Sequence, residues 1–118
     1  MEQVVLIIDD ELFNRMSLCM VLKSAHIRSV TASGGLKAVD IFNNLIKLRK
    51  SIFRVVLLDY SMPDMNGPQT ATEIFRICDA AGLERPTIFC VSAYQEKTFI
   101  KAALDAGMIE FFTKPITI

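Results

Sequence analysis

Between Val55 and Gly67 the chain reads VVLLDYSMPDMNG, four apolar residues running into an acid and then into turn formers. A continuous apolar run of that length, closed by Pro63, Asn66 and Gly67, fits a strand buried on both faces, as in a parallel sheet. Asp59 then stands where the strand leaves the sheet, and in open α/β folds ligands bind at that carboxyl edge. A carboxylate in such a position can equally serve as a cap for the next turn or helix. What surrounds Asp59 decides between the two roles.

The same grammar recurs along the chain. Val4–Ile8 is a β-branched-rich run that ends in Asp9-Asp10-Glu11, Ser29–Ala32 is a short strand, Thr87–Val91 ends in Ser92-Ala93, and Ile109–Phe112 precedes Thr113-Lys114-Pro115. Helical spacing fills the intervals. Leu12 to Ala25 carries Leu12, Met16, Cys19, Met20 and Lys23 three and four residues apart, with Asp10 or Glu11 favourable at its start and Met16 and Met20 expected to fill core. His26 ends that helix and is the single His of the chain, which excludes an all-His metal site. Ser33-Gly34-Gly35 opens a helix from Leu36 to Leu48 with Ala38, Val39, Phe42, Leu45 and Ile46 on one face. No G-x-G-x-x-G or G-K-[ST] pattern accompanies the glycines, so they read as a plain turn. The basic cluster from Lys47 to Lys50 complements that helix's dipole. Pro68 suits the first turn of a helix that continues to Ala80 and stops at Gly82, and Glu96–Ala106 is a helix closed by Gly107. Strand and helix alternate throughout, which implies right-handed βαβ crossovers, a parallel sheet and helices on both its faces. The expected architecture is a flavodoxin-like, doubly wound, five-stranded parallel sheet in the order 2-1-3-4-5.

One element is missing from that pattern. A fifth strand–helix unit needs a helix after Pro115, yet the chain stops at Ile118, so residues 1–118 are expected to be a single domain cut short before or at its fifth helix. One sheet face is then short of cover, which leaves room for a packed or swapped dimer. Hydrophobic content of 52% with 22% charged residues excludes disorder, and 13 basic against 13 acidic side chains give no electrostatic case for nucleic acid or an anionic membrane. Cys19, Cys78 and Cys90 lie in apolar segments without C-x-x-C spacing and read as buried, reduced thiols. The opening residues are too short an apolar run, and wrongly charged, for a signal peptide, and no later stretch approaches a membrane span. A cytoplasmic location is expected.

The strand ends bring chemistry together. In the order 2-1-3-4-5 the first and third strands are neighbours, roughly 4.8 Å apart, so Asp10 and Asp59 would face each other. Two carboxylates about 5 Å apart repel by roughly 3 kcal/mol at an effective dielectric near 20, and a third acid adds to this. Such a cluster persists only with protons or a cation. An all-oxygen set without His or thiolate selects a hard ion, Mg2+ before others. Lys114, after the fifth strand, would add positive charge.

IIDDE, LLDYSMPDMNG, VSA and FFTKPI, in this order through essentially the whole chain, resemble the receiver domain of two-component response regulators. The resemblance implies that Asp59 is the phosphoacceptor. It implies that Asp10, with Asp9 directly or through water, holds Mg2+ together with Asp59 and the backbone carbonyl of Ser61. Lys114 would pair with Asp59 and then with a phosphoryl oxygen, and Ser92 would hydrogen-bond the phosphoryl group. Phe111 would sit at the aromatic switch position and turn inward when Ser92 moves, and Pro115 would follow a cis peptide bond. The implied partners are a histidine kinase or a histidine phosphotransfer protein. The stretch from Glu11 to Arg15 and the longer connections at 45–53 and 80–85 are more like receivers fused to histidine kinases. Tyr94, two after Ser92, is expected to slow hydrolysis of the aspartyl phosphate. The domain would catalyse its own phosphorylation and dephosphorylation without turning over a free substrate. Among competitors, a haloacid-dehalogenase-type phosphatase would need a second acid where Ser61 stands, and a flavin-binding domain would need a phosphate loop after the first strand. A degenerate receiver serving only as an interaction module would have no reason to keep Asp10, Asp59, Ser92 and Lys114.

Overall fold

The computed structural model describes residues 4–48, 53–93 and 96–114. Five strands, β1 (Val4–Ile8), β2 (Arg28–Ala32), β3 (Phe53–Asp59), β4 (Thr87–Ser92) and β5 (Glu110–Thr113), alternate with four helices, α1 (Leu12–Ser24), α2 (Gly35–Lys47), α3 (Gly67–Ala80) and α4 (Lys97–Asp105). All four strand pairings are parallel and the order is β2-β1-β3-β4-β5, the flavodoxin-like arrangement expected from the alternation of runs. Residues 49–52, Tyr94 and Pro115, and with them the expectations of a long 45–53 connection, a hydrolysis-slowing Tyr94 and a cis Pro115, lie outside the described residues.

Pleating sends alternate side chains to opposite faces of the sheet, and the two faces differ. Leu6, Ile8, Val56, Leu58, Ile88 and Cys90 point into one core with Ala38 and Phe42 of α2, Ala71, Ile74 and Cys78 of α3, and Ala103 of α4. On the other face Ile7 and Val91 are buried, while Val5, Val55, Leu57 and Phe89 are only half-buried. The expectation that Val55–Leu58 is buried on both sides therefore holds for Val56 and Leu58 alone. Alternation with one incompletely covered face explains this better than a fully enclosed strand.

Helix α1 departs from its expected packing. It lies against β1 and β2 through the side that carries Leu18, its one buried residue. Met16 and Met20, expected in the core, are 55% and 70% exposed, and Leu12 is 62% exposed. The helix is apolar on nearly every side, so periodicity alone cannot choose which stripe faces the sheet. Cys19 is correspondingly half-buried, with the Ser29 hydroxyl donating to its Sγ at 3.3 Å, so only Cys78 and Cys90 are buried thiols; all three are unpaired. At the end of α1 the chain turns through His26 at φ 62°, and the Ile27 amide reaches back to the Leu22 carbonyl at 2.9 Å. This is a helix stop of the kind glycine usually makes.

Helix α3 starts with a reciprocal cap. Asn66 Oδ1 accepts from the Gln69 amide at 2.9 Å and Gln69 Oε1 accepts from the Asn66 amide at 3.1 Å, with Pro68 in the first turn. The cap of the helix that follows β3 is thus Asn66, and Asp59 is released from that role. Beyond α3, Arg85 pairs with Asp79 at 2.6 Å and lies 4.7 Å over the Phe75 ring, which ties the 80–85 connection to the helix.

Candidate functional site

Four strands deliver polar groups to one edge of the sheet. Ile8 pairs with Leu58, so the next residues, Asp9 and Asp59, come side by side. Asp59 pairs with Val91, which puts Ser92 one step further along β4, and Ser92 pairs with Thr113. The Lys114 amide donates to the Ser92 carbonyl at 2.8 Å, and this bond starts the Lys114 side chain back over the acids.

Asp9, Asp10 and Asp59 each offer a carboxylate oxygen, and these atoms lie within 4.8 Å of one another. Asp9 and Asp59 are buried, 2% and 6% exposed, and Asp10 stands at the exposed rim. The expectation put Asp10 opposite Asp59; the Asp10 carboxylate does come within 4.8 Å of it, and the register adds Asp9 as the inner neighbour. A one-residue difference in register reverses which side chain points inward, and register is not written in a D-D pair. Asp9 is also the most heavily bonded of the three. Its Oδ1 accepts from the Glu11 amide at 2.9 Å, its Oδ2 from Lys114 Nζ at 2.7 Å, and its carbonyl from Arg15 Nη1 at 2.9 Å.

Lys114 bridges two of the acids. Nζ lies 2.7 Å from Asp9 Oδ2 and 3.2 Å from Asp59 Oδ1, with 17% of its side chain exposed. Pairing with Asp59 was expected; the shorter bond goes to Asp9. Burial raises the Asp59 pKa, the nearby Asp9 charge raises it further, and the Lys114 charge only partly offsets them, so the carboxyl is pushed up from 3.8 to about 6. Burial works against the Lys114 ammonium, but the hydrogen bond to Asp9 and the fields of Asp59 and Asp9 outweigh it and raise its pKa above the ordinary lysine value. The Cys90 thiol, fully buried under Asp59, is pushed up to about 12 by burial and by the Asp59 charge, which makes it inert.

The remaining expected residues fall around this centre. Ser92 is 1% exposed. Ser61 is exposed on the loop between β3 and α3. Phe111 pairs with Cys90 and packs against the main core, half-buried, while the next residue, Phe112, turns to the other face and meets Phe89 at 5.6 Å. Arg15, with its guanidinium on the Asp9 carbonyl, has no motif to announce it beyond a helical spacing from Asp9-Asp10.

Gly67 closes the site from below. Its amide donates to the Tyr60 carbonyl at 2.7 Å, and a Cβ there would stand 2.7 Å from the Asp59 carbonyl oxygen. Backbone cannot step aside as a flexible side chain can, so Gly67→Ala is expected to cost about 1–3 kcal/mol in urea unfolding. Unchanged stability would show that the loop has slack.

Three carboxylates beside one ammonium, at the end of a parallel sheet, are competent to hold a hard divalent cation and to present one carboxylate of raised pKa as a nucleophile. A family model described as the response regulator receiver domain matches residues 5–118. The chemotaxis protein CheY of Thermotoga maritima is 32% identical over 112 residues, covering 94% of this chain and 84% of that protein. The receiver domain of the histidine kinase CKI1 from Arabidopsis thaliana, complexed with Mg2+ and BeF3−, matches with a TM-score of 0.87 at 23% identity, over 95% of this chain and 80% of that one. A chain in the co-crystal structure of the Saccharomyces cerevisiae histidine phosphotransfer signaling protein Ypd1 with the receiver domain of its downstream response regulator Ssk1 matches with a TM-score of 0.84 at 22% identity, over 98% and 81%. At these identities the two structures speak for the fold.

Proposed function

This chain belongs to the response regulator receiver domain family, and from that premise we propose that it accepts a phosphoryl group from a phosphohistidine onto Asp59 and answers with a change of conformation. The observation that carries the reading is the cluster itself, three carboxylates with oxygens within 4.8 Å and Lys114 wedged between two of them. Repulsion among buried acids is costly, and a site that keeps them is built for a cation. The all-oxygen donors fit Mg2+, with Asp9, Asp10, Asp59 and the Ser61 carbonyl as its ligands. When bound, Mg2+ would neutralise charge on the phosphoryl oxygens.

In the transfer, an Asp59 carboxylate oxygen attacks phosphorus while the nitrogen–phosphorus bond of the donor breaks. The electron pair returns to the imidazole nitrogen, which takes up a proton. Phosphoryl transfer asks mainly for positioning and charge stabilisation. Lys114, already held by Asp9, needs only to lean toward Asp59 to meet a phosphoryl oxygen, and the buried Ser92 hydroxyl donates to another. Ser92 and Phe111, on neighbouring strands, form the element that carries the change outward.

Receiver domains are signalling modules, and this one would act on itself rather than on a free substrate. The CKI1 receiver, complexed with Mg2+ and BeF3−, and the Ssk1 receiver, crystallised with a phosphotransfer protein, support Mg2+ and a phosphohistidine-bearing donor as the cofactor and partner. We read residues 1–118 as one receiver domain. No described helix is long and apolar enough to cross a membrane, and the unpaired thiols fit a reducing cytoplasm. The test is incubation with acetyl phosphate and Mg2+ followed by intact-mass and peptide mapping. One phosphoryl group on Asp59, dependent on Mg2+ and abolished by chelator, is the expected result. Absence of any adduct would leave the interaction-module reading in its place.

A further inference from the structure

The loop between β3 and α3 carries Ser61, the backbone ligand in the reading above. Its base is closed by the Gly67–Tyr60 backbone bond and by the Asn66–Gln69 cap, and Met62 anchors it in the core at 8% exposure. Its apex is held from elsewhere. Asp64 Oδ2 accepts from the Leu36 amide at 3.0 Å and Oδ1 from the Gly35 amide at 3.3 Å, the first amides of α2. Among the described residues from 60 to 67, Asp64 is the side chain that hydrogen-bonds across to another element.

Two further facts mark this contact as built. A Cβ on Gly34 would stand 2.7 Å from Asp64 Oδ2, so the turn before α2 has no room for a side chain while the carboxylate sits there. The Leu36 amide, and after it the Gly35 amide, hold the Asp64 carboxyl below its ordinary pKa, so the clamp stays charged at a helix N-terminus, where a carboxylate is favoured. The Gly34-Gly35 pair, a plain turn by sequence, is thus shaped around a loop some thirty residues away.

We infer that Asp64 is a positioning residue for phosphoryl transfer: by fastening the β3–α3 loop to the start of α2, it aims the Ser61 carbonyl at the metal. The inference rests on the proposed function. Only Met62 and Pro63 separate Ser61 from Asp64, and Pro63 has its φ fixed by its ring. Few free torsions are left between the clamp and the carbonyl. Releasing the clamp frees the carbonyl's direction while leaving every carboxylate ligand in place.

The experiment is a Mg2+ titration followed by amide NMR on the parent, Asp59→Asn, Asp64→Ala, Asp64→Asn, Gly34→Ala and the Gly34→Ala/Asp64→Ala pair, with acetyl phosphate uptake measured at low and at saturating Mg2+. Asp64→Ala is expected to weaken Mg2+ about tenfold, the scale of losing an outer support of a metal ligand. Uptake at saturating Mg2+ returns to the parental rate. Asp64→Asn, which keeps one acceptor oxygen, lies between the two. Gly34→Ala, which leaves Asp64 intact but crowds its carboxylate, weakens Mg2+ as well, and adds nothing in the Asp64→Ala background because the crowded group is gone. Parental Mg2+ affinity in Asp64→Ala, or full additivity of the pair, overturns the clamp while the Asp59-dependent binding of the parent keeps the functional reading. A parent without Asp59-dependent Mg2+ binding overturns both. Should Asp64→Ala fail to fold, Asp64→Asn and Gly34→Ala decide between the same outcomes.

Discussion

Asp59→Asn is expected to abolish phosphoryl uptake and, in the same protein, to raise stability at neutral pH. The first effect follows from chemistry, since an amide oxygen is a poor nucleophile toward phosphorus and no other described group occupies its place. The second follows from linkage. The Asp59 pKa is raised from 3.8 to about 6 in the folded state, by burial first and by Asp9 second. A carboxyl whose folded pKa lies above its unfolded one binds its proton more tightly when folded, so folding is opposed once the group must ionise. The penalty is absent below pH 3.8, grows as pH rises toward 6 and is full above it. Its size is on the order of 3 kcal/mol, a net figure in which the Asp59–Lys114 pair at 3.2 Å is already included. The measurement is chemical denaturation of parent and variant across that pH range with and without Mg2+. The stability difference should open as pH rises, and Mg2+ should stabilise the parent more than the variant, because its affinity needs the ionised carboxylate. A difference that stays flat with pH contradicts the raised pKa.

Lys114→Met should move stability the other way. The ammonium is the positive charge within 2.7 Å of Asp9 and 3.2 Å of Asp59, on a side chain only 17% exposed. Removing one member of a buried ionic set strands the others, typically at a cost of about 3–5 kcal/mol. Asp9 keeps its bond from the Glu11 amide at 2.9 Å, which places the expected loss at the lower end of that range. Asp59 then loses a neighbour that lowers its pKa, so the proton binds more tightly still. Stability lost at neutral pH should therefore recover as the solution is acidified, and Mg2+ should restore part of it by replacing the missing charge. Phosphoryl uptake should slow sharply even at saturating Mg2+, since in the proposed transfer Lys114 would supply a positive charge of its own to the phosphoryl group. A variant as stable as the parent, with unchanged uptake, would remove Lys114 from the site.

Composition and pattern carried the large features. Apolar runs of four to six residues alternating with helical spacings determine a parallel α/β sheet, because a right-handed crossover is the one economical way to join such strands. The chemistry at the strand ends was legible for the same reason: side chains that follow a buried strand emerge at one edge, so Asp9-Asp10, Asp59, Ser92 and Lys114 had to gather there if the order was 2-1-3-4-5. The stops at Gly82 and Gly107 and the start at Pro68 were equally local, since they depend on backbone preferences within a few residues.

Other features depended on contacts between distant segments. Which acid of the Asp9-Asp10 pair faces Asp59 was decided by the β1–β3 register, Ile8 against Leu58. Which side of α1 is buried was decided by how the helix rolls on β1 and β2, and it buried Leu18 while leaving Met16 and Met20 in solvent. Asp64 at the α2 amides joins residues 28 and 29 positions apart in the chain, and no periodicity spans that interval. Hydrophobic pattern and turn chemistry, which act over a few residues, set the kind of sheet and which groups reach its edge. The pairing of charges, the 2.7 Å bond from Lys114 to Asp9 and the raised pKa of Asp59 came with the folded arrangement, because these depend on register, burial and distance between elements far apart in the chain.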